Sequence, residues 1–475
     1  MQTEIRLNPH SDASLDILVL AAGLGTRMKS ARAKVLHQLG GRPLIAHVCH
    51  TAKSLEPGRI YIVVGHQAEK VEAAVLEELE PERVTFIKQA RQLGTGDAVM
   101  SARQALQTAG STLLILSGDV PLIRAETLLT LIHQHRQMKS VCTILSVRME
   151  NPTGYGRIVR DERDRLLKIV EQKDATLEEK QIREINAGIY CFETSKLFSA
   201  LERVQPKNQQ GEYNLTDVAE ILRSDGEEVN VYFHSDAREV SGVNTRAELA
   251  EFENLLRRNT IRGLMLDGGV TFIDPSHSYI SAEAEIGRDS IVYPGVQVEG
   301  KTVIGENCEL RAGARITNSR IGNNVTIKDH CVISDSDIES NCSVGPFAHL
   351  RMNAYLQEGA AVGNFVEVKK SRLGRGSKSM HLTYLGDATI GEKTNIGAGT
   401  VTCNFDGRNK HETIIEDNVK IGSDTMLVAP VRVGSRSVTG AGSVVTKDVP
   451  PDSLVAGVPA VIKKRFAERK NETES

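Results

Sequence analysis

Short apolar runs alternate with amphipathic stretches along residues 16–245. Each run is six to eight residues long and mainly apolar, which is typical of strands buried on both faces of a parallel sheet. In such sheets ligands bind beyond the carboxyl ends of the strands. Five strands are predicted: ILVLAAG (17–23), IYIVVG (60–65), VTFIKQ (84–89), TLLILSGD (112–119) and VCTILSV (141–147).

The stretches between these strands repeat apolar residues at helical spacing. They predict helices at 43–56, 68–80 and 96–109, so the sheet is expected to be mainly parallel and covered on both faces. A further helix is predicted at 246–262, where Leu249, Phe252 and Leu256 share one face. We expect this last helix to link two halves of the chain.

From about residue 265 the rhythm changes to recurring aliphatic–glycine pairs, many of them 6 or 17–18 residues apart. Six residues per flat face and three faces per coil give a triangular parallel β-helix. One stretch near 402–414, TCNFDGRNKHETI, breaks the rhythm and predicts a loop that leaves one corner. The pairs begin at Ile286, Ile304, Ile321, Val344, Val362, Leu373, Ile390, Ile396, Ile421 and Val433.

Three of the seven cysteines fit this repeat. Cys308, Cys331 and Cys342 each follow an inward aliphatic residue by four positions, a slot for small side chains. We therefore expect them to fill the core rather than to serve redox or metal chemistry. An odd cysteine count without a C-x-x-C pair favours a reducing cytoplasm over a disulfide framework.

The composition narrows the function further. A length of 475 residues favours two or three domains. A net charge of −3 gives no support for a nucleic-acid or membrane-surface partner. The first 15 residues are polar and do not resemble a signal peptide, and no apolar run is long enough to span a membrane. With no Trp and few aromatics, the core must be built from aliphatic residues.

The first strand ends in a glycine-rich basic loop, LVLAAGLGTRMKS (18–30). Met28 stands where the dinucleotide fingerprint requires a third glycine, and the Gly-Lys pair of the P-loop is missing. On this segment alone, a phosphate-binding loop and a plain connecting loop are equally good interpretations. SGDVP (117–121) ends another strand and could face the loop across a crevice.

Two sets of motifs resemble one known family. LAAGLGTRM is similar to the sugar-nucleotidyltransferase signature, and HLTYLGD (381–387) with NIGAGTVTCNFDG (395–407) is similar to a specific acetyltransferase. Together, over about 16–460, they resemble the bacterial bifunctional N-acetylglucosamine-1-phosphate uridyltransferase and glucosamine-1-phosphate acetyltransferase (GlmU) family. The resemblance implies UDP-N-acetylglucosamine supply for peptidoglycan and lipopolysaccharide synthesis.

The resemblance also implies the fold class: an α/β Rossmann-like nucleotidyltransferase domain followed by a left-handed parallel β-helix of hexapeptide repeats. The handedness comes from the resemblance and not from the periodicity. The expected domains are a polar tail (1–15), a uridyltransferase domain (16–245), a linker helix (246–265), an acetyltransferase domain (266–460) and a C-terminal tail (461–475).

For the N-terminal half, the resemblance implies a site for UTP and N-acetylglucosamine-1-phosphate. The attacking sugar phosphate is already anionic, so this chemistry needs positioning and charge neutralisation rather than a base. Gln89, Gly94 and Thr95 would read the uracil, and Gly156, Glu171 and Asn186 would hold the sugar. Without the resemblance, Glu171 is a solvated strand-end carboxylate. The remaining implied contacts are Leu20, Ala21, Ala22, Gly23, Arg27, Lys34, Ser117, Gly118, Asp119 and Asn244.

The implied metal ligands are Asp119 and Asn244, which would hold Mg²⁺. One carboxylate and one amide make a weak cage, so substrate phosphates must complete the coordination. The alternative for Asp119 is an ordinary turn aspartate in Gly-Asp-Val-Pro.

For the C-terminal half, the resemblance implies His381 as the proton acceptor. Acetyl transfer to an amine needs a base, and imidazole changes its charge near working pH. A lone histidine in a β-helix can also be structural. Arg351, Lys369, Tyr384 and Asn395 would bind glucosamine-1-phosphate. Ala398, Asn404, Phe405, Ser423, Ala441 and Val458 would bind acetyl-CoA, in a cleft shared between the subunits of a homotrimer.

The chain departs from the family pattern at five positions. Three lie around the nucleotide: Leu24 replaces a lysine, Ala33 a proline and Ser117 an aromatic residue. Phe405 replaces a common tyrosine, and Val458 an arginine of some members. We expect activity to survive, with the affinity for nucleotide and CoA in question.

Three functions compete. The first is the bifunctional enzyme, acetylating before it uridylylates. The second is a single-activity sugar-1-phosphate nucleotidyltransferase with a structural or regulatory β-helix, and the third is a non-catalytic assembly subunit. A degenerate subunit need not keep Lys34, Asp119 and Asn244 together. A regulatory β-helix need not keep His381, Lys369, Tyr384 and Asn395 together, yet both sets are present. The bifunctional enzyme is therefore preferred.

Overall fold

The computed structural model describes residues 14–108 and 112–465. The chain divides into two compact units, with the boundary between Glu253 and Asn254. The predictions for the N-terminal tail and for most of the C-terminal tail fall on 1–13 and 466–475, outside the described residues. Within the described part, no helix combines the length and apolar character that a bilayer crossing requires.

The N-terminal unit contains eleven strands in its described residues. All five predicted strands are confirmed, at β1, β4, β5, β6 and β7. The strands are β1 (Leu15–Leu20), β2 (Gln38–Leu39), β3 (Arg42–Pro43), β4 (Ile60–Val64), β5 (Val84–Lys88), β6 (Thr112–Ser117), β7 (Cys142–Arg148), β8 (Arg157–Arg160), β9 (Leu166–Val170), β10 (Glu184–Glu193) and β11 (Val229–His234).

The helices run close to the predicted segments but end earlier. The prediction at 96–109 overshoots, because the α-helix stops at Ser101 and a 3-10 turn follows at Ala105–Thr108. A helix is present where the linker helix is predicted, and it extends to Leu266. The helices are α1 (Leu44–Ser54), α2 (Ala68–Leu76), α3 (Thr95–Ser101), α4 (Ala125–Gln137), α5 (Thr194–Leu201), α6 (Asp217–Ser224), α7 (Ala237–Val240) and α8 (Arg246–Leu266).

The main sheet has the order β11-β7-β10-β6-β1-β4-β5. It is mainly parallel, as predicted, but β10 runs antiparallel to both β6 and β7. Between β7 and β10 the chain makes the β8–β9 hairpin and no crossover helix, so β10 returns in the opposite direction. Both faces are covered: Ile17 and Val19 pack into one apolar cluster, and Leu18 into another.

The C-terminal unit is a three-faced parallel β-helix. Short strands stack in register along each face, for example Ile304 beside Ile321 and Ile321 beside Ile338. A single apolar cluster fills the inside, and Cys308, Cys331 and Cys342 lie in it as predicted. All seven cysteines are described and free, and burial raises the pKa of Cys331 to about 11.

The strands of this unit form three sheets. The first face contains Thr271–Phe272, Ile291–Val292, Glu309–Leu310, Thr326–Ile327, Ser343–Val344, Ala361–Asn364, Lys378–His381, Asn395–Ile396, Lys420–Ile421, Val438–Thr439, Ser453–Ala456 and the antiparallel Val461–Arg465. The second contains Tyr279–Ile280, Gln297–Glu299, Arg315–Thr317, Val332–Ser334, His349–Arg351, Glu367–Lys369, Tyr384–Gly386, Val401–Cys403, Met426–Val428 and Val444–Val445. The third contains Glu285–Ile286, Val303–Ile304, Arg320–Ile321, Asp337–Ile338, Tyr355–Leu356, Arg372–Leu373, Ala388–Ile390, Thr413–Ile415 and Val431–Val433.

The predicted excursion loop is present. The chain leaves the second face at Cys403 and joins the third face at Thr413. Residues 404–412 therefore form an extra segment at the corner between these two faces. We refer to these residues as the excursion loop.

Candidate functional site

The N-terminal unit has a cleft of about 490 Å³ at the carboxyl ends of β1, β5 and β6. Ten of the sequence-predicted nucleotide residues line it. The prediction that the glycine-rich loop faces the end of β6 is confirmed, because residues of both segments line this cleft. The ten residues are Leu20, Ala21, Ala22, Gly23, Lys34, Gln89, Gly94, Thr95, Ser117 and Asp119.

The glycine-rich loop is held open towards the cleft. A Cβ atom placed on Gly23 would meet no described atom within 4 Å, so the backbone there is accessible. Gly25 has a left-handed φ of 62°, and a Cβ atom on it would lie 2.5 Å from the Cβ of Lys34. Met28, in the same loop, is buried. Backbone N–H groups with this freedom suit an anionic ligand.

Cationic side chains meet the two predicted metal ligands in this unit. The Lys34 ammonium contacts the Asp119 carboxylate and donates to Asn244 Oδ1 at 3.1 Å. Arg27 Nη2 donates to the same Asn244 oxygen at 2.7 Å. The oxygens of Asp119 and Asn244 thus converge on one positive charge. A divalent cation fits a point where a carboxylate and an amide oxygen already share a cation.

The metal position is poor in protein ligands. No group of three or more His, Cys, Asp or Glu side chains in the described ranges could hold a metal ion. A metal bound between Asp119 and Asn244 would therefore take its remaining oxygens from substrate or water.

At Ala33, where the family usually has proline, the backbone keeps a proline-like conformation. Its φ is −55°, within the range that proline would impose. Its N–H, which a proline would lack, donates to Gln67 Oε1 at 3.0 Å, and Gln67 Nε2 donates to Ala31 O at 3.1 Å. The Gln67 side chain thus fastens the segment before Lys34 by hydrogen bonds.

The segment predicted to read the uracil, which contains Gly94 and Thr95, is held by hydrogen bonds to a second stretch of chain. Gly96 N donates to Tyr213 O at 2.7 Å, and Tyr213 N donates to Leu93 O at 2.7 Å. Leu215 N donates to the Thr95 hydroxyl at 3.0 Å. The Gln89 amide donates to Asp97 Oδ2 at 2.7 Å, which orients it.

The three predicted sugar residues lie together. Asn186 N donates to Gly156 O at 2.9 Å, and a Cβ atom on Gly156 would lie 3.4 Å from Glu171 Oε1. The Thr216 hydroxyl donates to the same Glu171 oxygen at 3.2 Å. Burial, together with nearby carboxylates, raises the pKa of Glu171 despite that hydrogen bond.

Two other predicted residues, Ser117 and Gly118, connect the residues predicted to hold the sugar with the cleft. The Ser117 hydroxyl donates to Gly188 O at 3.3 Å, and Gly188 N donates to Asn186 Oδ1 at 3.0 Å. Gly118 N donates to Leu20 O at 3.0 Å, which joins the ends of β6 and β1.

The β-helix brings the predicted base and three acetyl-CoA residues into one column. His381, Ala398, Ser423 and Ala441 occupy the corner between the first and second faces on successive coils. Backbone hydrogen bonds link these coils: Gly399 N to His381 O, Asp424 N to Ala398 O and Gly442 N to Ser423 O. Ser423 and Ala441 are exposed at this corner, and Ala398 is half-buried.

Asn364 was not predicted, and it holds the imidazole of His381. His381 Nδ1 lies 2.8 Å from Asn364 Oδ1. Because a carbonyl oxygen only accepts, this contact selects the neutral tautomer with the proton on Nδ1 and the lone pair on Nε2. His381 is exposed, so Nε2 can reach a ligand.

The predicted sugar-phosphate residues form a different group. Arg351 and Lys369 end neighbouring strands of the second face, and the Tyr384 hydroxyl lies over Gly386, the strand partner of Lys369. Arg351 Nε donates to Glu367 at 2.8 Å, and Lys369 Nζ donates to Asp387 at 2.7 Å. The structure thus brings Arg351, Lys369 and Tyr384 together.

Four predicted residues lie away from these two groups or at their margins. Asn395 begins a strand of the first face. Asn404 and Phe405 belong to the excursion loop, and Phe405 is exposed. Val458 follows the last coil and is also exposed.

Within one chain, the predicted base His381 and the predicted phosphate-binding cation Lys369 lie at different corners of the β-helix. Leu382 turns the corner after His381, and Asp387 turns the next corner, beside Lys369. Four residues, 383–386, lie between these corners, so the two corners are five residue steps apart, about 16 Å at roughly 3.3 Å per residue. The structure does not bring His381 next to Lys369 within one chain.

A pocket of about 430 Å³ near the excursion loop was also missed. Lys370, Arg372, Asp387, Lys410 and His411 are among its lining residues. The sequence offered a weak signal, since Lys410 lies inside the loop that breaks the repeat.

Three family models match the chain. The MobA-like NTP transferase domain matches residues 17–185, the GMPPB C-terminal domain residues 275–370, and the bacterial transferase hexapeptide (six repeats) residues 412–447. A solved structure of UDP-glucose pyrophosphorylase complexed with UDP-glucose covers 52% of this chain and 99% of its own, at 16% identity and a TM-score of 0.44.

Curated relatives match over nearly the whole chain. The bifunctional protein GlmU of Syntrophomonas wolfei is 47% identical over 93% of this chain and 96% of its own length. The bifunctional protein GlmU of Heliobacterium modesticaldum is 47% identical over 96% of this chain and 98% of its own length. The chain belongs to the family of bifunctional GlmU proteins.

Proposed function

We propose that the chain makes UDP-N-acetylglucosamine in two steps at two sites. The family's activities are a uridyltransferase and an acetyltransferase, and the chain has both domains. Acetyl-CoA first acetylates glucosamine-1-phosphate at the β-helix. UTP then uridylylates N-acetylglucosamine-1-phosphate and releases diphosphate at the N-terminal cleft. The observation that carries this proposal is the presence of two residue sets in one chain, one around Lys34 and Asp119 and one that includes His381.

Uridylyl transfer needs no proton acceptor. The sugar phosphate oxygen attacks the α-phosphorus of UTP, and the bond to diphosphate breaks. Lys34 and Arg27 supply positive charge, and the loop at Gly23 supplies backbone N–H groups. Gln89, Gly94 and Thr95 hold the base, and Glu171 and Asn186 hold the sugar. Thr216 is hydrogen-bonded to Glu171, and Gly188 is hydrogen-bonded to Asn186. These contacts support one continuous substrate path.

Asp119 and Asn244 would hold the metal of this site, which we propose is Mg²⁺. Their oxygens converge on the Lys34 ammonium, which supports a cation at this point. When bound, such an ion would neutralise phosphate charge, and Lys34 adds a positive charge beside it.

Acetyl transfer needs a base. The amine nitrogen of glucosamine-1-phosphate attacks the carbonyl carbon of acetyl-CoA, His381 Nε2 takes the amine proton, and CoA leaves as the thiolate. Asn364 keeps the imidazole in the tautomer that can accept this proton. Arg351, Lys369 and Tyr384 bind the phosphate and hydroxyls, and Asn395 and Asn404 orient the sugar or acetyl group.

The active assembly is a homotrimer that shares the acetyl-CoA cleft between copies. Two observations support this. His381 and Lys369 lie at different corners of one chain, so a second copy can complete the site. Next to His381, exposed apolar side chains form a ladder: Phe347 stacks on Phe365 at 5.4 Å, and Leu382 follows on the next coil. Such a patch is typical of a protein interface.

The enzyme works in the cytoplasm, without a nucleic-acid partner and without membrane insertion. The free state of all seven cysteines supports a reducing compartment. Free UTP and acetyl-CoA are available there.

One mass-spectrometric assay tests the proposal. The first tube contains the protein, glucosamine-1-phosphate, acetyl-CoA, UTP and Mg²⁺. The second lacks acetyl-CoA and receives N-acetylglucosamine-1-phosphate. UDP-N-acetylglucosamine in both tubes is the expected result. Product in the second tube alone would mean a single-activity nucleotidyltransferase, and folded protein without product in either would mean a non-catalytic subunit.

A further inference from the structure

Asp387 contacts two of the residues assigned to acetyl transfer, although it has no role in the account above. It lies at the corner between the second and third faces, and its side chain is 11% exposed. Its Oδ2 accepts hydrogen bonds from Lys369 Nζ at 2.7 Å and from Asn404 Nδ2 at 2.5 Å. One carboxylate oxygen therefore sets the positions of an ammonium and an amide on separate coils.

The same residue ties down both ends of the excursion loop. The loop begins at Asn404, which the Asp387 carboxylate holds. It ends where Thr413 N donates to the Asp387 backbone carbonyl at 3.1 Å. The loop base is closed by His411 N, which donates to Asn404 O at 2.8 Å. The Asp387 side chain therefore fixes the first residue of the loop, and its backbone carbonyl fixes the residue that follows the last.

Asp387 also balances a concentration of positive charge. Lys370 Nζ lies 3.8 Å from Asp387 Oδ1, and the Lys410 ammonium lies beside that of Lys369. Lys369 itself is only 3% exposed. Without a carboxylate here, the Lys369 ammonium would be nearly buried beside another cation, a strongly unfavourable arrangement.

The ionisation of the pair follows this geometry. The hydrogen bond from Lys369 to Asp387 raises the pKa of Lys369. Burial favours a higher pKa for Asp387, but the hydrogen bonds from Lys369 and Asn404 outweigh it and the pKa is lowered. Both groups are therefore charged at neutral pH.

We propose that Asp387 is a positioning residue for acetyl transfer, which aims Lys369 and Asn404 at the substrates while remaining out of contact with them. The inference rests on the proposed function of the β-helix site. It predicts that the charge of Asp387, and not only its bulk, is needed for binding glucosamine-1-phosphate.

The test compares Asp387→Asn with Asp335→Asn in the full chain. Asp335 occupies the same corner on an earlier coil, with φ of 46° against 47°, and its side chain is exposed. It thus controls for an amide at a left-handed corner. We expect Asp387→Asn to lower kcat/KM for glucosamine-1-phosphate by about 30-fold, mainly through KM, since a hydrogen bond to a charged group is lost. Asp335→Asn should stay within about twofold of wild type.

A second readout follows Lys369 directly. The proteins are treated with an amine-acylating reagent at fixed pH, and the labelling of each lysine is read by peptide mass spectrometry. Loss of the carboxylate lowers the pKa of Lys369 and frees its ammonium, so its labelling should be at least fivefold faster in Asp387→Asn than in wild type or Asp335→Asn. A purely structural role that leaves Lys369 in place would not change this rate.

A variant that already lacks Lys369 and Asn404 tests whether unfolding causes the loss of acetyl transfer in Asp387→Asn. In Lys369→Met/Asn404→Ala, the further change Asp387→Asn should reduce acetyl transfer by less than twofold, because its two targets are already gone. A large further loss would overturn the inference, as would unchanged kcat/KM or unchanged Lys369 labelling in Asp387→Asn. Wild-type protein without acetyl transfer would instead overturn the proposed function, and the inference with it.

Discussion

Gly94 offers a test of how the segment proposed to read the uracil is built. It has φ of 109° and ψ of 175°, a region that is essentially restricted to glycine. A Cβ atom on it would lie 2.5 Å from Tyr213 O and 2.9 Å from Tyr213 N. Gly94→Ala therefore demands both a strained backbone and a displacement of Tyr213.

The size of the effect follows from these contacts. The backbone conformation costs about 1–3 kcal/mol for a non-glycine residue. Moving Tyr213 also weakens its hydrogen bonds to Leu93 and Gly96, each worth about 1 kcal/mol. If about 2 kcal/mol of this cost reaches the bound state, the KM for UTP rises roughly thirtyfold.

The assay is steady-state uridylyl transfer with varied UTP, and acetyl transfer measured on the same preparation. Gly226→Ala is the matched control, because Gly226 has φ of 82° and no described atom lies within 4 Å of its added Cβ. It carries backbone strain without a clash and lies after α6. We expect a modest loss of stability there and an unchanged KM for UTP. If Gly94→Ala kept the KM for UTP within twofold of wild type, the clamp by Tyr213 would be refuted.

Three further predictions concern Glu171, Asp217 and Val458. Thr216→Val removes a hydrogen bond that lowers the pKa of Glu171, so the acid limb of the uridylyl-transfer pH profile should move to higher pH; an unmoved limb would argue against a charged Glu171 in sugar binding. Burial raises the pKa of Asp217 to about 6, above an unfolded value of about 3.9, so between these pH values the folded chain holds a proton that the unfolded chain has lost, and stability falls as pH rises. Asp217→Asn should therefore raise the melting temperature by about 2–4 °C at pH 7.5 and by less at pH 4.5, and calorimetry showing the reverse order would contradict this. Val458→Arg should lower the KM for acetyl-CoA several-fold at low salt and less at high salt, because it adds a charge at an exposed position; a salt-independent change would not fit.

The β-helix was largely predictable because each coil repeats the same physical requirement. An inward aliphatic residue recurs at each face, so the spacing of Ile304, Ile321 and Ile338 along the chain is enough to set the register of one face. The slot that follows accepts only small side chains, which accounts for Cys308 and Cys331. The handedness is not contained in that periodicity and came from the resemblance.

The N-terminal sheet was predicted only in part. Its continuous apolar strands were found, but β8 to β11 were not, because their apolar and polar residues follow no single rhythm. Strand β10 shows the limit most clearly: its antiparallel direction depends on the preceding hairpin and not on its own residues. Helix ends were also too late, as at Ser101.

The residues that support the site were harder to predict than those expected to touch ligands. Motifs pointed to Lys34, Asp119 and His381. The supporting roles of Asn364 and Asp387 were not predicted, because their partners are neighbours across coils rather than along the sequence. The departure at Ala33 likewise became understandable only when its N–H was seen to donate to a side chain.

The central claim is that two separate sites perform two separate reactions. The most direct test measures both activities, by mass spectrometry of product formation, in His381→Ala and in Asp119→Ala. His381→Ala should depress acetyl transfer by roughly 10²–10⁴-fold, the contribution of a general base, and keep uridylyl transfer. Asp119→Ala should do the reverse. Equal loss of both activities in either variant, with the fold intact by circular dichroism, would contradict the account.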